Sequence, residues 1–277
     1  MKTALALAAL ALIELGGETV MAKSLRQNEK TKMVRALLKS LETRDPGPLS
    51  YINPRKYIQH NPNVEDGLEG VKKLRSSLPN DTKVNTVRVF ADGDYVVAHS
   101  EYNFFGPKVG FDIFRFEKGK IVEHWDNLEA KCPQPNGSGR TQTDGPTEVA
   151  DPEKTEANKA LLKEYFDVVV IGEKRDQASK YRGTFHQHNC YGEDDKSGFQ
   201  TKRGPFANPG FVYKVNKVHL ILGEGQFVLV VNEGLFDNRP TTFYDFYRIA
   251  DDKIVEHWDV LETAIPREQW KNANGKF

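Results

Sequence analysis

The chain is poor in cysteine, has no net charge and lacks a long apolar run. Cys132 and Cys190 are the only two cysteines among 277 residues, too few for a disulfide-rich scaffold or a four-thiolate zinc site. They admit one intrachain bridge or two free thiols. Lys plus Arg number 39 and Asp plus Glu number 39, so the long-range attraction that brings proteins to nucleic acids or anionic membranes is missing. The longest apolar stretch, Ala4 to Ile13, falls short of the roughly 20 residues that cross a bilayer. It does fit a secretory signal, with Lys2 before it and Gly16, Gly17 and the small-residue site Val20-Met21-Ala22 after it. Cleavage after Ala22 is predicted, which makes residues 1–22 a leader and the product secreted or periplasmic. Neither a glycine-rich phosphate loop nor a nucleophile elbow occurs.

Aromatic residues are plentiful, at 10% of the chain, enough for packed cores rather than disorder. A long internal repeat dominates. Lys120-Ile-Val-Glu-His-Trp-Asp126 returns letter for letter as Lys253-Ile-Val-Glu-His-Trp-Asp259, and Leu128-Glu129 as Leu261-Glu262. Phe111-Asp-Ile-Phe-Arg115 corresponds to Tyr244-Asp-Phe-Tyr-Arg248, His60-Asn61 to His188-Asn189, and Val84-Asn85 to Val215-Asn216. A period above 100 residues implies two copies of a whole domain. They are placed at 23–130 and 153–277, with a Pro-, Gly- and Ser-rich linker over 131–152. Asp151-Pro152 is expected to cap the next helix.

Each copy opens with helical spacing: Met33, Val34, Leu37, Leu38 and Leu41 in the first, Ala160, Leu161, Tyr165, Phe166 and Val169 in the second. A short helix carrying Tyr57 or Phe185 is expected next. Four strands follow in each copy, Val84 to Phe90, Tyr95 to Phe104, Gly110 to Phe116 and Lys120 to Asp126, with counterparts between Val215 and Asp259. Helices followed by an antiparallel sheet make an α+β domain.

Strand alternation puts His124 and Asp126 on one face with Val122, and Ile121 and Trp125 on the other; His257 and Asp259 repeat the relation. Asp112 alternates with Phe114 and Phe116, and Asp245 with Tyr247. A carboxylate among aromatics is either lifted in pKa by burial or paired with an arginine such as Arg115 or Arg248. His60 and His188 form a third recurring polar element. The bland alternatives are strand-end ion pairs for the His–Asp pairs and turn or capping bonds for His60 and His188.

Tyr57-Ile-Gln-His-Asn-Pro62, Asp92-Gly-Asp-Tyr-Val-Val-Ala-His-Ser100, Asp112-Ile-Phe-Arg115 and Gly119-Lys-Ile-Val-Glu-His-Trp-Asp126 resemble the SnoaL-like polyketide cyclases of the nuclear-transport-factor-two-like superfamily. The resemblance implies a cone in which helices and a strongly curved antiparallel sheet enclose an apolar pocket. It also implies dimers packed sheet against sheet, which a tandem chain could form as an intramolecular pseudo-dimer. The chemistry it implies is acid–base catalysis by an aspartate on a small apolar or carbonyl-containing ligand, without metal or organic cofactor: cyclisation, isomerisation or aldol-type cleavage. Asp126 and Asp259, or alternatively Asp112 and Asp245, are the expected bases. His124, His257, His60 and His188 would orient or protonate the substrate oxygen, and Tyr57, Asn61, His99, Phe114 and Asn189 would line the pocket. A non-catalytic ligand-binding or dimerisation protein of the same fold is the alternative.

Copy two departs from the pattern, with Val231 for His99, Cys190 for Pro62 and a polar insertion over Lys196 to Gly210. The pair His186 and His188 with Glu193 is a weaker candidate for a cation site, since copy one has Ile58 in place of His186.

Overall fold

The computed structural model describes residues 20–196, 202 and 204–277. The predicted leader therefore lies almost wholly outside the described residues, as does part of the Lys196 to Gly210 insertion. Helix α1 spans Val20–Thr43 and α2 spans Gly67–Ser77. Between them comes β1 (Ile58–Gln59), followed by β2 (Lys83–Asp92), β3 (Tyr95–Asn103), β4 (Pro107–Glu117) and β5 (Lys120–Ala130). The second half has α3 (Thr155–Tyr165), a π-helical turn over Phe166–Val170, then β6 (Arg182–Gln187), β7 (Tyr213–Glu224), β8 (Phe227–Phe236), β9 (Arg239–Ala250) and β10 (Lys253–Thr263).

Two five-stranded sheets result, in the orders β1-β5-β4-β3-β2 and β6-β10-β9-β8-β7. The order is the same in both once the second half is renumbered. Two-residue turns close the last hairpin of each sheet, Lys118-Gly119 and Asp251-Asp252, and all four residues have positive φ. That conformation matches the right-handed twist of the flanking strands.

The segments expected as short helices are strands. β1 runs parallel to β5, with Gln59 opposite His124, and β6 runs parallel to β10, with Gln187 opposite His257. Tyr57 immediately precedes β1, and Phe185 lies within β6. Local propensity favoured a helix here, but pairing with the exposed edge of β5 or β10 satisfies the backbone instead.

The expected parity of β5 also needs correction. Arg115 pairs with Glu123 and Phe116 with Ile121, so Val122 is an extra residue in a bulge. The bulge turns Ile121 toward α1 while Trp125 faces the other sheet. Asp151 does not cap the following helix with its side chain; it adopts φ 54 before a 3-10 turn at Pro152–Lys154.

Three apolar layers hold the molecule. Val34, Leu37 and Leu38 of α1 pack on Val96, Ala98, Phe114 and Ile121. Leu162, Phe166 and Val169 pack on Val228, Val230 and Tyr247. The outer faces of the two sheets meet between them, where Phe90, Phe111, Ile113 and Trp125 contact Phe227, Leu229, Phe246 and Trp258. Phe246 is at the centre, with its ring 5.4 Å from that of Phe111 and 5.8 Å from that of Phe90. Each helical layer thus covers the face of its own sheet that is turned away from the other sheet, and a cavity remains between helices and sheet.

Candidate active site

Strand alternation carries the chemistry of the first half into one cavity. Its volume is about 510 Å³, and it lies between α1, α2 and the first sheet. Leu37, Leu38, Leu41, Ile52, Val71 and Phe114 form much of the wall, and Asp112, His124, Asp126, Tyr57, Gln59 and Asn61 the polar end.

Gln59 organises that end. Its Oε1 accepts from His124 Nδ1 at 3.0 Å and from the backbone N–H of Asn61 at 2.9 Å. A carbonyl oxygen only accepts, so His124 carries its hydrogen on Nδ1. The free Nε2 then shares a proton with Asp112 Oδ1 at 3.0 Å, and Tyr102 donates its hydroxyl to Asp112 Oδ2. Burial pushes the Asp112 carboxyl up, against the opposing pull of His124. The same burial, with Asp112 beside it, raises the Tyr102 phenol.

Asp126 is held differently. Asn61 Nδ2 donates to its Oδ2 at 2.8 Å, while Oδ1 is buried and accepts no hydrogen bond. Lys276 Nζ stands 3.8 Å from that oxygen.

The second half repeats the pattern around a cavity of about 400 Å³ lined by Gln187, Asn189, Asp245, His257 and Asp259. His257 meets Gln187 at 3.0 Å and Asp245 at 3.1 Å. The Tyr102 place is Gly234 in register, and Asn232 donates to Asp245 Oδ2 at 2.7 Å instead. Burial raises the Asp259 carboxyl.

Three expected site residues lie elsewhere. His60 points away from the cavity because it follows β1, where alternation sends Gln59 and Asn61 inward. It stacks on Trp125 at 4.7 Å and meets Glu123 Oε1 at 2.9 Å. His188 does the same with Trp258 at 4.5 Å and Glu256 at 2.8 Å. Glu123 and Glu256 are held in turn by Arg115 and Arg248, each at 2.6 Å. The arginines expected as alternatives for Asp112 and Asp245 therefore pair on the opposite sheet face. His99 is between the sheets, stacked on Phe111 at 4.1 Å and bonded to Arg88 at 3.1 Å; burial and then Arg88 hold it well below the usual histidine range.

Gln59, Tyr102 and Glu262 were not anticipated. The recurrence of Gln59 as Gln187 one residue before each His–Asn pair was the available signal for the first. Glu262 recurs as Glu129, but nothing in the local sequence shows that it lines the first cavity from the opposite half.

His186 bonds Asp194 at 3.1 Å while His188 lies on Trp258, so these two histidines do not converge. Ligand atoms of Asp112, His124 and Asp126 lie within 4.8 Å of one another, as do those of Asp245, His257 and Asp259. A cation would fit such a spacing. Apart from Asp126 Oδ1, the histidines and carboxylates are already partnered with each other and with Tyr102, Asn61, Asn232 and Asn189, and we assign no metal.

No protein-family model matches the chain, and no curated protein matches it. Solved structures similar to it include nuclear-transport-factor-two-like proteins. TsrD from Streptomyces laurentii is 23% identical over 37% of this chain and 89% of its own, with a TM-score of 0.33. A putative ketosteroid isomerase from Kribbella flavida is 15% identical over 40% of this chain and 85% of its own, at 0.35. A putative SnoaL-like polyketide cyclase from a Jannaschia species is 15% identical over 37% and 87%, at 0.32. Each resembles a little over a third of the chain.

Proposed function

We propose that the first cavity binds a small, largely apolar carbonyl compound and moves a proton next to the carbonyl, the first step of cyclase, isomerase or aldol-type lyase chemistry. The observation that carries this reading is the unequal pair of carboxylates at the end of an apolar cavity. Asp112, raised by burial, supplies the acidic end with Tyr102 and His124. Asp126, with one oxygen bare of hydrogen bonds, supplies the base. An acid and a base held in different surroundings at the end of one cavity are what acid–base catalysis requires.

In the step proposed, the C–H bond beside the carbonyl breaks and its proton passes to the Asp126 carboxylate. The electron pair moves onto the carbonyl oxygen, which takes over the hydrogen bond that the Tyr102 hydroxyl gives to Asp112 in the free protein. No external oxidant or reductant is needed.

Exchange of the α-hydrogens of apolar cyclic ketones with D2O, followed by proton NMR, tests the reading. The protein is expected to accelerate exchange of a ketone that it binds, and Asp126→Asn to slow it by about 100-fold or more. Exchange at the buffer rate for a ketone shown to bind would leave ligand binding as the function.

We further propose that the two halves form, within one chain, the sheet-to-sheet pair otherwise made by two subunits; their shared apolar layer supports this. Export is also proposed, supported by the signal-like start and by the bridge between Cys132 and Cys190, since such bonds persist in oxidising compartments.

A further inference from the structure

Each sheet hands its following segment to the opposite half. After β5 the chain crosses the second half, where Asn136 Nδ2 donates to the Gln187 carbonyl at 2.5 Å and the Thr141 carbonyl meets His188 Nδ1 at 2.8 Å. After β10 it crosses the first half, where Asn274 Nδ2 donates to the Gln59 carbonyl at 3.0 Å and the Gly275 carbonyl meets His60 Nδ1 at 3.0 Å. The two straps thus make corresponding contacts with Gln59-His60 and Gln187-His188. One residue further along, Gln142 corresponds to Lys276.

That substitution changes the charge behind each site. Lys276 Nζ is 3.1 Å from Glu262, donates to the Asp126 carbonyl at 2.6 Å and stands 3.8 Å from Asp126 Oδ1. Gln142 Nε2 donates to Glu129, the counterpart of Glu262, at 2.5 Å and brings no charge. The carboxylates also differ in occupancy: Asn189 Nδ2 spans both oxygens of Asp259 at 3.0 and 2.8 Å, whereas Asn61 bonds only Oδ2 of Asp126 and the buried Oδ1 accepts no hydrogen bond.

We propose that Lys276 is a positioning residue, delivered by the strap from the second half, that prepares Asp126 to accept a proton. With Gln142 in its place and both Asp259 oxygens engaged, the second cavity binds ligand without transferring a proton. This inference rests on the proton-transfer reading given above. The groups that face Asp126 are Tyr102 on β3, Asp112 on β4, His124 on β5, Glu262 on β10, Tyr244 on β9 and Tyr57 before β1; Lys276 is the cation that stands beside Asp126 and Glu262. In a low-dielectric cavity an adjacent ammonium favours the ionised carboxylate that a base must be. The contrast between the halves supports the assignment. Glu129, without a cation, is pushed up to about 8 by burial and Asp259, while Lys276 opposes the rise that burial imposes on Glu262.

The test compares full-length protein with Lys276→Gln and Lys276→Arg by carbon-13 carboxyl NMR and by ketone α-hydrogen exchange across pH. In Lys276→Gln the Glu262 titration should move to higher pH. The acid limb of the exchange profile should move the same way, with kcat falling about 10-fold or more while KM changes little; Lys276→Arg should restore both. Asp126→Asn should slow exchange by about 100-fold or more, and retention of half the activity would overturn the silence assigned to the second cavity. Wild-type exchange with an acid limb unmoved in Lys276→Gln would overturn the role of Lys276 alone. Absence of wild-type exchange overturns the proton-transfer reading beneath it.

Discussion

Gln59 Oε1 accepts from His124 Nδ1 at 3.0 Å, and Gln187 holds His257 at the same distance. The amide is itself fixed by the following backbone N–H groups of Asn61 and Asn189. A parallel two-residue pairing thereby sets the tautomer of a histidine that is distant in sequence. Each histidine then turns its Nε2 to Asp112 or Asp245.

Removing that acceptor should release the ring. Gln59→Leu leaves a buried Nδ1–H unpaired, which costs about 1–3 kcal/mol. We expect a midpoint lowered accordingly in urea denaturation, and nitrogen-15 NMR should find His124 no longer confined to one tautomer. An unchanged nitrogen spectrum would show that Gln59 does not hold the tautomer.

Glu129 gives the stability a pH dependence of known sign. In the folded protein its carboxyl titrates near 8, against about 4.3 in an unfolded chain. The folded state binds this proton more tightly, so the contribution is complete below pH ~4.3 and is lost as pH rises through 8. Glu129→Gln, which does not titrate, should therefore gain in Tm relative to the parent between pH 5 and 8. A constant difference over that window would contradict the assignment.

The layer between the sheets should couple the halves. Phe246 touches Phe90 and Phe111 of the first sheet as well as Phe227 and Trp258 of its own. Phe246→Ala is expected to cost about 3–5 kcal/mol, read by urea unfolding with fluorescence. Probes confined to either half should lose stability together; a loss restricted to the second half would mean that the two fold separately.

Cys132 and Cys190 are bridged across 58 residues, with Cα atoms 6.2 Å apart. The bridge ties the first strap to the loop after β6. Replacing both by serine should lower stability by about 2–5 kcal/mol. Thiol labelling of the unreduced, denatured parent should find no free cysteine, and two labelled thiols would refute the bridge.

Much of the fold is legible in the sequence, because its signals are local or periodic. The long strands are rich in β-branched and aromatic residues, as alternations or, in β3 and β8, as continuous apolar runs; α1 repeats Val34, Leu37, Leu38 and Leu41 on one face, and the recurring heptapeptide foretells equal sheets. His124 and Asp126 also read correctly as sharing one face of β5, where alternation is regular; that Asp112 of β4 shares that face with them follows from the pairing of the two strands. Where an extra residue interrupts the alternation, at Val122, the reading of Ile121 fails.

What only the tertiary structure decided concerns contacts between distant segments. Residues 58–59 became a strand because β5 offered an open edge, and that pairing turned Gln59 inward and His60 outward. Arg115 belongs to Glu123 because the bulge aligns them across the hairpin. Lys276, in a polar tail with no motif, reaches Asp126 because the two sheets bury a common aromatic layer and bring each strap over the opposite half. Periodicity states which side chains share a face; the packing of the two sheets determines what that face meets.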